Sequence, residues 1–167
     1  MKPFFLFLLL IGILSLLINS AFAKLPDPLH CLDFSTAEEC YEKAKLYIQK
    51  VGFAKVEKVV LAECNAVKTC PDIQSVSDFL EMSAFGGGAL DEYKTEIFFQ
   101  LAALKTKCLL DALLITDEEF RMRWVEQFKD PMFEYGEATP KALEPFCHQP
   151  AYKKLLDSFC SNYVTGK

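Results

Sequence analysis

Two histidines and seven cysteines are the residues of this 167-residue chain best suited to chemistry, and they adjoin twice, as His30-Cys31 and Cys147-His148. Four such side chains could hold zinc, and one Cys-His pair could supply a thiolate nucleophile. Spacing argues against both. Neighbouring residues of a chain usually point apart, and the short Cys-to-Cys knuckle of a structural zinc site occurs nowhere. The plainer reading is a disulfide framework drawn from Cys31, Cys40, Cys64, Cys70, Cys108, Cys147 and Cys160. Seven is odd, so at least one cysteine is a spare thiol or the link of a covalent dimer. Spacing does not assign the pairs.

Three acidic clusters, Glu38-Glu39, Asp91-Glu92 and Asp117-Glu118-Glu119, could pair carboxylates for acid–base work or bind calcium. Each falls in the first turn of a predicted helix, where carboxylates offset the positive end of the helix dipole by about 0.3–1 kcal/mol. No calcium loop with oxygen ligands alternating around a glycine accompanies them. Gly86-Gly87-Gly88 could cradle a phosphate but lacks the Lys-Ser/Thr ending of a P-loop, and Asp91 and Glu92 follow at once. It reads as a connection. Arg121-Met122-Arg123-Trp124 holds both arginines and the one tryptophan, residue types enriched at binding hot spots. Trp124 also lies on an apolar stripe, so core packing is the simpler account, with the arginines as its solvated flank.

Other catalytic signatures are absent: no G-x-S-x-G, no H-E-x-x-H, no C-x-x-C. Two histidines leave little general-base capacity near neutral pH. The expectation is a protein that is not an enzyme and carries no cofactor or metal.

The elements that must position these residues begin with a leader. Lys2 is followed by an apolar run from Phe4 to Ile18, a polar step at Asn19-Ser20, and the small-x-small sequence Ala21-Phe22-Ala23. We read residues 1–23 as a secretory signal peptide and residues 24–167 as one extracellular domain. Without the leader, 144 residues remain, with seventeen basic and twenty-three acidic side chains and all seven cysteines. A chain of that length buries a real core without staples. Its acidity and lack of a basic block exclude nucleic acid as a natural partner, and no second apolar stretch of spanning length follows the leader. Asn-x-Ser/Thr occurs nowhere, so N-glycosylation is not expected.

Helical periodicity runs through the rest. Ser35-Thr36-Ala37-Glu38 forms a capping box before Cys40, Tyr41, Ala44, Tyr47, Ile48 and Val51, with Gly52 as the stop. A second helix carries Phe53, Val56, Val60, Cys64 and Val67 on one stripe until Cys70-Pro71. A third places Ile73, Val76, Phe79 and Leu80 inward. The longest segment, Leu90 to Ile115, is apolar on more than one face and predicts a long central helix covered from several sides. Thr116 to Glu119 reads as a second capping box, before Phe120, Trp124 and Phe128. Thr139-Pro140 gives an N-cap followed by proline, and the last helix presents Tyr152, Leu155, Leu156, Phe159 and Tyr163.

No period-two alternation competes. The expected architecture is all-α, a disulfide-stabilised bundle of about six helices around a long central helix. Cys40, Cys64, Cys108 and Cys160 lie on or beside apolar stripes, placed to cross-link helices inside the core. The function expected of such a chain is a secreted binding or interaction module whose partner is a protein. An alternative is an extracellular carrier of a small apolar ligand such as a fatty acid, lined by Phe79, Phe98, Leu101, Trp124 and Phe128. A Cys/His-dependent enzyme or zinc protein is the distant third.

Overall fold

A computed structural model describes residues 37–82, 88–131 and 134–164. The predicted leader over residues 1–23, His30, Cys31, the predicted cap Ser35, and Gly86-Gly87 lie outside the described residues. Eight α-helices and a 3-10 turn make up the rest, without a strand among the described residues. The chain is all-α and disulfide-bonded. None of these helices is long and apolar enough to cross a membrane.

Helix α1 (Ala37–Val51) buries Cys40 and Ala44 and carries Glu38 and Glu39 in its first turn. Gly52 turns the chain straight into α2 (Phe53–Val67) with φ +91°, a left-handed conformation natural only to glycine. Val56, Val60, Cys64 and Val67 form the buried stripe of α2, whereas Phe53, in its first turn, is exposed. Asp72 caps α3 (Ile73–Glu81), its carboxylate accepting the Ser75 N–H at 2.7 Å. Val76, Phe79 and Leu80 are fully buried, but Ile73, predicted inward, is exposed. Gly88 opens α4 (Ala89–Leu104) at φ +88°, with Asp91 and Glu92 in the first turn.

The long central helix predicted over Leu90 to Ile115 is divided in two. Lys105 (φ −136°, ψ 36°) separates α4 from α5 (Thr106–Ile115). Thr106 Oγ1 donates to the Ala102 carbonyl at 2.7 Å, a side-chain bond to the preceding turn that bends helices. The break rotates the second half out of phase with the first. Leu104, the last residue before the break, and Ile115, the last residue of α5, are 61% and 54% exposed, whereas Leu101 and Ala112 are buried.

Helix α6 (Glu118–Gln127) is capped by Asp117, whose carboxylate accepts the Glu119 N–H at 2.9 Å. Thr116, the predicted cap, is instead buried. Its hydroxyl donates to Ala112 O at 2.8 Å and lies 3.0 Å from Ser77 Oγ. Helix α7 (Ala138–Leu143) starts after Glu137, one turn's fraction earlier than Thr139-Pro140 suggested, and Thr139 is fully buried within it. A 3-10 turn (Glu144–Phe146) follows, then α8 (Lys153–Val164), which buries Leu156 and Phe159.

Helices α1 and α2 form a hairpin, and α2 packs on α3 and α4. Helix α3 lies chiefly along α5 and touches α6, while α4 lies along α7. The middle is an aromatic stack. Phe98 faces Trp124 at 4.6 Å and Phe128 at 5.1 Å between ring centroids, with Phe79 behind Trp124 at 6.2 Å. Such offset pairs each contribute about 0.5–1.5 kcal/mol beyond their burial.

Candidate functional site

A groove of about 200 Å³ opens where α3 ends and α4 and α6 pass beside it. Its floor is Leu80, Met82, Phe120 and Trp124, and its polar lining comprises Asp91, Lys94, Thr95, Arg123 and Gln127. The local chemistry follows from the end of α3. The last carbonyls of any helix lack intrahelical donors and need others. Here Trp124 Nε1 donates to Leu80 O and the Lys94 ammonium donates to Met82 O, both at 2.8 Å, while the Met82 N–H closes on Phe79 O at 3.2 Å. A cation at a helix C-terminus also answers the negative end of the dipole.

Lys94 is only 4% exposed. Burial lowers its pKa from 10.5 to about 8, opposed by the charge of Asp91. The ammonium also lies 5.8 Å from the Trp124 ring centre. Arg123, on the exposed rim, pairs with Glu119 at 3.2 Å. An apolar floor under two cations and an acceptor suits the binding of a compact apolar group with a polar edge.

Of the five residues expected to line an apolar-ligand cavity, only Trp124 borders the groove. Phe79, Phe98, Leu101 and Phe128 are brought together around it, but they fill the core with one another and are at most 1% exposed. Lys94 was not singled out from the sequence. Its signal was there: it sits four residues from both Leu90 and Phe98, a lone lysine on an apolar stripe.

The cysteines sort cleanly. Cys70 bonds Cys108, Cys147 bonds Cys160, and Cys40 is also disulfide-bonded. Cys64, expected among the cross-linking candidates, is the one free thiol among the described residues, 0% exposed on the inner stripe of α2. Burial pushes that thiol from 9.0 up to about 11, against the opposing pull of Lys94. An intermolecular link through Cys64 would require the core to open. Cys147 has its sulfur bonded to Cys160, and His148 beside it is exposed. Among the described residues no group of three or more His, Cys, Asp and Glu is arranged to hold a metal. Glu38-Glu39, Asp91-Glu92 and Glu118-Glu119 all occupy first turns of helices. Arg121 reaches back to the Leu114 and Thr116 carbonyls at 3.4 and 3.5 Å, capping the end of α5.

Comparison with protein-family models, with curated proteins and with solved structures finds no match to this chain.

Proposed function

We propose that this chain is an extracellular, non-enzymatic binding module that receives an apolar anchor side chain of a protein partner in the groove above Trp124. Disulfides persist in oxidising compartments, and the leader over residues 1–23 supplies a route to one. The size of the groove carries the choice of partner. Small-molecule sites usually enclose about 300–1,000 Å³, whereas this groove offers about 200 Å³, room for one side chain. The aromatic residues that would surround a fatty acid are packed against each other instead. Trp124 and Arg123 at the groove are residue types enriched where partners anchor.

The test uses the single tryptophan as its own reporter. A displayed random-peptide library is panned on the secreted protein. Enriched peptides are expected to share a leucine or aromatic anchor and to change Trp124 fluorescence on binding. Arg123→Glu is expected to weaken them without altering thermal unfolding. A stoichiometric lipid in native mass spectra, with no peptide reaching Trp124, overturns the reading in favour of a carrier.

A further inference from the structure

The two disulfides between described residues occupy unlike surroundings. Cys147 is buried in the core, its bond to Cys160 joining the 3-10 turn to α8. Cys70 and Cys108 are both half-buried, and their bond forms part of the wall of an open groove of about 520 Å³. Ile73, Leu104 and Phe146 give that groove its apolar surface, and Lys105 and Lys107 stand on its rim. Cys160 is half-buried as well, so what sets the Cys70–Cys108 pair apart is the open groove that leads a dissolved thiol to it.

The backbone distinguishes the two halves of the exposed pair. Cys70 adopts φ +54°, the one non-glycine residue with positive φ among those described, and it does so directly before Pro71. That left-handed conformation is unfavourable for a residue with a Cβ. Cys108 is the third residue of α5, whose start has no side-chain cap. Lys107 precedes it, and Lys105 lies two residues further back with its side chain exposed. The nearby carboxylates are already engaged: Asp111 accepts from Lys107 at 2.5 Å and from the Tyr152 hydroxyl, and Asp72 holds Ser75. A thiolate leaving on Cys108 would lie within a turn of Lys105 and beside the N–H groups of the first turn of α5, a setting that favours a leaving thiolate.

We infer that the Cys70–Cys108 bond is a thiol–disulfide exchange site for small anionic thiols of the glutathione class. The incoming thiolate, its proton given to solvent, forms a bond to Cys70 Sγ. The Cys70–Cys108 bond breaks, and its electron pair leaves on Cys108 Sγ as a thiolate. The product is a mixed disulfide on Cys70 and a free Cys108, with no net oxidation. A second thiol can then displace Cys70, releasing the oxidised small-molecule disulfide and leaving both cysteines reduced. This inference is independent of the groove above Trp124.

The full secreted protein is incubated with graded reduced glutathione, quenched with acid, alkylated, and mapped by non-reducing peptide mass spectrometry, with circular dichroism in parallel. Glutathione on Cys70 and alkyl label on Cys108 are expected at about tenfold lower thiol than is needed to open Cys147–Cys160, while helicity persists. Lys105→Glu is expected to slow the exchange severalfold with unchanged unfolding, a response that a purely structural bond would not give. Simultaneous opening of both disulfides, opening only on unfolding, glutathione captured on Cys108 rather than Cys70, or indifference to Lys105→Glu each overturns the proposal.

Discussion

Glu81 on α3 accepts the backbone N–H of Asp117, the N-cap of α6, at 2.8 Å. In a local capping box that N–H is taken by the glutamate three residues into the same helix. Here the third residue after the cap is Phe120, which has no acceptor to offer, and the acceptor comes from 36 residues earlier in the chain. Glu81 is 2% exposed, so the bond ties the end of one helix to the start of another inside the fold.

Removing that acceptor leaves a donor at the cap unmatched, which typically costs about 1–3 kcal/mol. Glu81→Leu is expected to lower unfolding stability by about that amount, and Glu81→Gln, which retains an amide oxygen, by less. Denaturant unfolding measures the first effect. Hydrogen exchange localises it, because the Asp117 amide should exchange faster in Glu81→Leu; an unchanged rate would sink this account.

Stability above neutral pH should follow the two buried groups that face each other across α2 and α4. The unfolded chain holds a proton on Lys94 up to its ordinary 10.5, whereas the folded chain releases it near 8. Between those values the unfolded state binds more protons, so Lys94 makes stability rise with pH, by up to about 1.4 kcal/mol per unit. Cys64 acts oppositely. The folded thiol keeps its proton to about 11, while the unfolded thiol loses it from 9.0, so stability falls across that window. Unfolding free energy is therefore expected to climb from pH 8 to 9 and then level. Lys94→Met should abolish the climb, and Cys64→Ala should extend it; denaturation series at fixed pH decide the matter.

Trp124→Phe keeps a ring against Phe98 but removes the donor to Leu80 O. The expected loss is about 1 kcal/mol, with faster exchange at the end of α3. Because the substitution deletes the only tryptophan, unfolding is followed by far-ultraviolet circular dichroism. Stability equal to the parent would mean that the indole N–H contributes nothing there.

Helical periodicity carried most of the fold. The stripes Val56-Val60-Cys64-Val67 and Val76-Phe79-Leu80 are buried as their spacing requires, because burial depends on which face a residue occupies. Helix ends were less legible. Thr116 and Thr139 look like caps in sequence but are drawn into the core by neighbours far along the chain. The break at Lys105 left the apolar pattern uninterrupted, since a one-residue kink changes direction without changing composition.

The sequence by itself determined the helical class, the acidic first turns and the odd count of cysteines, all properties of residue type and local spacing. Tertiary structure alone decided that Cys64 stays a free thiol, that Cys70 meets Cys108, and that Lys94 and Trp124 cap α3. Those outcomes depend on which surfaces meet after the helices pack, and nothing in the period of a single helix encodes its neighbour.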